Sequence, residues 1–441
     1  MGYLGWTAAT GVLLLLMSLS YGWISRFAVP VFGLYLLVGI ACGPWGLGIL
    51  RIDIVEHASL TSRITEIAMA ASLFITGLKI RLPLRFSFWK TGIMLALPGM
   101  LLTIGGIMVV SHFLTGISWP LSLALAAILA PTDPVLASLV AINDAQDGDR
   151  LRISLSSEAG LNDGTALPFL ILALLWNNAG SALSGEELLK WFSVDLVWAL
   201  VGGLAIGFLL GRFIGMMATR SRHAQGEVAP SDFVALALIC LSFALAQWVS
   251  ASGFLAAFAA GVGLRSTEIS VQKRHADQKE DDDDLPAEML VNPHTRHGLN
   301  LKNPIKSVGL IIGDALSFGD TVERLFAAAL IIILGVTLAQ HWSSAALPLA
   351  FIIFFLIRPL AVLLVTWRSK SAWLHRLSLG WLGIRGIGSL NYIAFAYMHG
   401  FKGDGANLVT DTAITIVTIS VLVHGITVTP LLTLRRKKAE H

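Results

Sequence analysis

Ser156-Ser157-Glu158-Ala159-Gly160-Leu161-Asn162-Asp163-Gly164 lies in the middle of an apolar run that extends from about residue 152 to 177. Such a run crosses a bilayer as a helix, for which roughly 17 to 25 residues suffice. Two carboxylates inside it are costly. An ionisable side chain at bilayer depth carries an insertion penalty of roughly 2.5 to 3.5 kcal/mol and needs a partner or a task. Glu158 and Asp163 are about 140° apart around a helix, so they point in different directions and hold different jobs. Glu158 and Asn162, at i and i+4, share a face, and Gly160 and Gly164 admit a close neighbour.

The rest of the chain has the same apolar character. Of its 441 residues, 55% are hydrophobic and only 13% charged, and the mean hydropathy is +0.74. That is about half the charge of a soluble domain, which excludes a water-soluble enzyme. The net charge of +3 is small and dispersed, which argues against nucleic-acid binding. Cys42 and Cys240 both lie in apolar runs and offer no disulfide or zinc framework. With no HExxH, GxSxG or Walker phosphate loop, neither hydrolysis nor ATP coupling is supported, and no cofactor is expected.

Apolar stretches long enough to span recur near 5–25, 30–50, 64–80, 91–112, 119–142, 152–177, 192–215, 231–249, 252–265, 321–340, 346–367, 377–399 and 411–434. No Lys or Arg precedes the first and no small-residue cleavage site follows it, so it is expected to be a retained span. Counting back from Arg435-Arg436-Lys437-Lys438, 24 of the 31 Lys and Arg fall on one side. Only Arg51, Arg63, Lys190 and Lys402 fall opposite; Arg324, Arg358 and Arg385 sit within spans or at an edge. The bias predicts a multi-pass protein of the cell membrane with its N-terminus outside and its C-terminus cytoplasmic. One long polar connection, residues 266–306, carries Glu280-Asp281-Asp282-Asp283-Asp284 and three prolines. It lacks the Gly and spaced ligands of an EF-hand and reads as a solvated loop, with His275, His294 and His297 as candidate pH sensors.

Three further stretches place polar groups at depth. Ala130-Pro131-Thr132-Asp133-Pro134, in the fifth span, removes two backbone donors and breaks the helix. Such a break is tolerated where freed carbonyls line a cavity or ion site. Ile357-Arg358-Pro359, in the eleventh, holds an Arg that cannot shed its charge and needs a carboxylate; Glu158 is the candidate. Gly383-Ile384-Arg385-Gly386-Ile387-Gly388-Ser389, in the twelfth, is poor continuous helix and predicts a second interruption, with Arg385 a candidate gating residue. Breaks in the fifth and twelfth spans are seven apart, matching an inverted repeat of spans one to six against eight to thirteen, the pattern that marks a transport site.

These residues resemble the monovalent cation/proton antiporters of the NhaP and NHE type. The resemblance rests on Thr132-Asp133-Pro134, Glu158 with Asn162-Asp163, Arg358 and Gly383-Ile384-Arg385-Gly386, with weaker echoes in Gly43-Pro44 and in Ser252 to Phe258. It implies an all-α fold of about 13 transmembrane helices, discontinuous at helices 5 and 12, working as a homodimer in the bilayer. Dimerisation helices would occupy residues 1–90, 231–265 and 321–345, and core helices 91–177 and 346–434. A linker helix in 178–230, a cytoplasmic loop over 266–320 and a basic tail at 435–441 complete the expectation. Asp163 would bind Na+ or a proton, with Asp133, Thr132 and Ser157 as further ligands and Asn162 beside them; Glu158 and Arg358 would form a core ion pair.

A charge count gives a mechanism. Asp133, Glu158, Asp163, Arg358 and Arg385 sum to one negative charge. One sodium ion or one proton on Asp163 neutralises the same unit, so the two compete. If only occupied states cross, exchange is one-for-one and electroneutral. Oxygen ligands suit a hard cation without choosing Na+ over Li+ or K+. The first alternative to Na+ exchange is a K+/H+ antiporter with the same site, and a passive cation channel ranks behind it; an organic-anion carrier is disfavoured by the acidic excess.

Overall fold

In the computed structural model the described residues are 31–82, 86–133, 145, 149–180, 182–225, 232–274, 285–291, 303–369 and 372–439, with 4–5, 7–8, 11–12 and 14–15 ahead of them. All regular structure among them is helical. In chain order these are α1 (Val31–Cys42), α2 (Ala58–Lys79), α3 (Phe86–Met94, continued through Leu95–Gly99 into Met100–Thr115) and α4 (Trp119–Leu129). There follow α5 (Arg150–Ala179), α6 (Gly185–Lys190, continued through Trp191–Trp198 into Ala199–Gln225), α7 (Asp232–Trp248), α8 (Gly253–Arg274) and α9 (Pro304–His341). The last four are α10 (Ala346–Ile352, continued through Ile353–Ile357 into Arg358–Val365), α11 (Trp373–Trp381), α12 (Ile387–Met398) and α13 (Asp404–Ala439). Helices α3, α5, α6, α8, α9, α10 and α13 each carry a window long and apolar enough to cross a membrane; α1, α4 and α7 are shorter apolar helices. Helices α1 to α13 thus supply the second to thirteenth expected spans, α11 and α12 being halves of one. The first lies almost wholly outside the described residues.

The internal repeat shows in how the helices deform. Leu95–Gly99 of α3 contains Pro98, and Ile353–Ile357 of α10 precedes Pro359; both segments widen into π turns. Proline withdraws a donor and clashes with the preceding turn, and a π turn absorbs both defects. The two sites lie seven spans apart and pack together: a side chain at Gly99 would touch Val365, and one at Gly106 would strike Ile357. Without a hydrophobic drive between helices in lipid, close packing holds such bundles together. Here α6 meets α8 along Gly203, Gly207 and Gly211, where an added Cβ would strike the backbone of Ser252, Ala256 and Ala260.

Two expectations are corrected. The polar connection is shorter than 266–320, because α8 continues to Arg274 and α9 starts at Pro304 rather than near residue 321. Asn303 caps α9 by accepting from Ile305 N–H at 2.9 Å, with Pro304 in the first turn where its missing donor is harmless. The charges at Asp314, Asp320, Glu323 and Arg324 lower the hydropathy of that stretch without breaking its helix. Nor is the connection wholly a solvated loop. Ala287–Leu290 forms a short 3-10 turn docked on α8, where Arg265 binds Glu288 at 2.8 and 2.9 Å and Glu268 accepts from Ala287 N–H at 3.1 Å. The acidic run and His275, His294 and His297 lie outside the described residues.

Candidate functional site

The expected interruption of the twelfth span is present, and the helix of the fifth span stops where expected. Helix α4 stops at Leu129 and leaves Ala130 to Asp133 non-helical, Pro134 lying beyond the described residues; α11 stops at Trp381 and α12 begins at Ile387. The two breaks cross. Asp133 N–H donates to the Ile384 carbonyl at 2.8 Å, and Asp133 Oδ2 accepts from Gly388 N–H at 2.9 Å. In return Arg385 Nε donates to the Leu129 carbonyl at 2.9 Å, and Ser389 Oγ to the Ile128 carbonyl at 2.7 Å. Each broken end therefore receives the charge that its dipole favours: an aspartate at the N-terminus of α12 and an arginine at the C-terminus of α4. Arg385 also donates to the Gly383 carbonyl and its own N–H reaches Ser420 Oγ at 2.9 Å. This ties Arg385 to the helix ends rather than leaving it as a swinging gate. Gly386 sits immediately before α12. Gly383 is hemmed in: an added Cβ would lie 2.7 Å from Arg358 Nε, 3.0 Å from Arg385 and 3.2 Å from Thr132.

Helix α5 brings Asp163 to this crossing. Asp163 is 1% exposed, and among the described residues neither of its carboxylate oxygens has a hydrogen-bond partner. Gly388 joins the two acids, because its N–H holds Asp133 and an added Cβ would stand 3.3 Å from Asp163 Oδ1. Asn162 Nδ2 donates to Thr132 Oγ1 at 2.7 Å, and among the described residues Asn162 Oδ1 is a buried acceptor without a donor. Tyr392 of α12 donates to the Asp163 carbonyl and pins α5 against the crossing. Among the described residues no three His, Cys, Asp or Glu side chains converge as a resident metal centre would require. The site instead offers two carboxylates with amide and hydroxyl oxygens, donors of the kind that suit a hard cation.

Ser157 is not brought to Asp163. Six residues along a helix amount to about 120° around it, and Ser157 lies against α3, where an added Cβ on Gly92 would sit 2.4 Å from its own. Glu158, on the face of Asn162, meets Arg358 as expected: Nη2 to Oε1 is 2.5 Å, with both side chains buried. Gly160 and Gly164 are filled by Phe258 and Leu255 of α8.

One acid near the site was not expected. Glu323 of α9 is buried and accepts from Ser72 Oγ of α2 at 3.2 Å. Its signal was the Asn303-Pro304 helix start, which places Glu323 in the middle of a 38-residue helix rather than at the edge of one beginning near 321.

The profile of the family described as "Sodium/hydrogen exchanger, transmembrane" matches residues 11–434. Among curated proteins, the K(+)/H(+) antiporter NhaP of Alkalimonas amylolytica is 24% identical over 425 residues, covering 96% of this chain and 65% of the relative. The Na(+)/H(+) antiporter 2 of Zygosaccharomyces rouxii is 30% identical over 219 residues, 47% of this chain and 26% of the relative. This chain thus spans between about a quarter and two thirds of the length of these relatives. The fold matches the sodium proton antiporter MjNhaP1 of Methanocaldococcus jannaschii at pH 8 with a TM-score of 0.68 and 18% identity, over 96% of this chain and 97% of that one. With its crossed helix breaks and its match from residue 11 to 434, the chain belongs to the transmembrane sodium/hydrogen exchanger family.

Proposed function

We propose that this chain is a secondary transporter, not an enzyme, and exchanges a monovalent cation for protons across the cell membrane. The observation that carries the proposal is Asp163, buried at the crossing beside Asp133 with both oxygens open to a guest. Sodium or a proton satisfies that carboxylate equally in charge, so the two compete. The Glu158–Arg358 pair cancels within the core, Arg385 is committed to helix-end carbonyls, and net exchange is one-for-one and electroneutral. Alternating access moves the core, residues 91–177 and 346–434, against a dimerisation scaffold in a homodimer. Arginine and lysine placement supports a cytoplasmic C-terminus and an N-terminus outside.

A second reading, potassium in place of sodium, is favoured by one observation: relatives aligned over 95–96% of this chain carry K(+)/H(+) names. Proteoliposomes with a trapped pH dye, given Na+, Li+ and then K+, decide between the cations. Asp163→Asn should abolish cation-driven alkalinisation at every concentration, and exchange persisting in that variant would reject the assignment. A passive channel would instead conduct cations without moving protons against their gradient.

A further inference from the structure

Helices α2 and α9 run antiparallel past the site and carry a series of polar groups that the exchange reaction above does not use. Lys79 Nζ and Asp320 Oδ1 pair at 2.8 Å, with 16% and 33% of their side chains exposed. About one turn further in, Glu323 is 7% exposed and accepts from Ser72, which is fully buried. One more turn along, Ala68 of α2 and Ala327 of α9 pack against Ile387, the residue preceding Gly388. Gly388 itself touches both Asp133 and the space beside Asp163. Exposure thus falls from a third at Asp320 to 1% at Asp163, with the apolar contact of Ala68, Ala327 and Ile387 lying between Glu323 and the crossing.

A buried carboxylate with a single hydroxyl partner is expensive to maintain for structure alone. The charged groups that bear on Glu323 are Lys79 of α2, Asp320 of its own helix and Asp133 at the crossing. Lys79 is already engaged by Asp320. Among the described residues no Lys or Arg forms an ion pair with Glu323.

We infer that Glu323 is a way-station between the Lys79–Asp320 pair and Asp163, holding the exchanged cation or proton in transit at the cytoplasmic end. The inference rests on the exchange reading and on the orientation proposed with it. No bond is made or broken beyond proton or ion transfer between carboxylates.

The test compares wild type, Glu323→Gln and Glu323→Asp in proteoliposomes, with cation concentration and pH varied separately. Removing a negative neighbour weakens the hold of the site on any positive guest. Glu323→Gln should therefore raise the cation KM about threefold or more and move the pH profile about half a unit or more toward acid. Glu323→Asp should stay within about twofold of wild type, because it keeps the charge. An unchanged KM and pH profile in Glu323→Gln, with only the folded yield reduced, would overturn the inference. So would complete loss of exchange in a well-folded Glu323→Gln, since a way-station can be bypassed and a ligand cannot. Failure of the exchange reading is separate: wild type would then be inert toward every cation.

Discussion

Replacing Glu158 by Gln keeps a side chain of the same shape and an oxygen that can still accept from Arg358, but removes the charge. Oε1 is bonded to Arg358 Nη2 at 2.5 Å, and among the described residues Glu158 Oε2, Arg358 Nε and Arg358 Nη1 have no partner. Among the described residues Arg358 therefore has no second carboxylate paired with it. Arg385, 1% exposed, also lies within the fields of Arg358 and Glu158, so the variant leaves two buried guanidinium charges facing each other. Breaking one side of a buried pair costs about 3–5 kcal/mol, which is between about a hundredfold and a few thousandfold in the folded-to-unfolded ratio. Removing both charges with apolar groups of similar volume is often neutral, so Glu158→Met with Arg358→Met should regain most of the loss. The assay is the apparent melting temperature of purified protein in detergent, at one heating rate because such unfolding is irreversible. Glu158→Gln melting with wild type, or a double variant as unstable as both singles combined, would refute the electrostatic account.

Other outcomes follow from the same geometry. Gly388→Ala places a Cβ 3.3 Å from Asp163 Oδ1 and 3.5 Å from Met69 Cε; overpacking of about 1–3 kcal/mol should weaken the cation by roughly tenfold in KM. A normal folded yield with unchanged KM would show that the crossing is wider than this. Arg385→Lys should lower the melting temperature, because one ammonium cannot replace the guanidinium donors to the Leu129 and Gly383 carbonyls, each worth about 1–3 kcal/mol when left unmet. Equal melting temperatures would argue against that role. At the other end of the molecule His341 bridges Asp411 at 2.6 Å and Asp53 at 3.2 Å. Burial works against the charge of Asp53, but hydrogen bonds from His341 and from the Val55 and Glu56 N–H groups outweigh it and hold the carboxyl below the usual range. A depressed folded value gives stability that is present above about pH 4 and lost as pH falls through the folded value. The melting advantage of wild type over Asp53→Asn should therefore shrink in acid; a constant gap would contradict it.

The crossing was legible because its residues violate what a membrane helix permits. Pro131 and Pro134 around Asp133, and glycines around Arg385, favour interruption, and α4 stops at Leu129 while α11 and α12 part between Trp381 and Ile387. The Glu158–Arg358 pair was legible for the same reason, since neither charge survives alone at that depth. Ser157 was misplaced because its assignment came from resemblance, whereas helix geometry turns it toward Gly92. Glu323 was missed because hydropathy averages over a window: four charges between Asp314 and Arg324 hid a helix whose cap, Asn303, was in plain view. Residue pairing across α2 and α9 also depends on packing, which no local pattern encodes.

The central claim is that a cation and a proton displace each other at Asp163. Calorimetric titration of the purified protein with sodium or potassium, in two buffers of different ionisation enthalpy, counts protons released per ion bound. The account predicts close to one proton released per cation near neutral pH, and neither heat nor proton release in Asp163→Asn. Cation binding that expels no proton from the wild-type protein would contradict it.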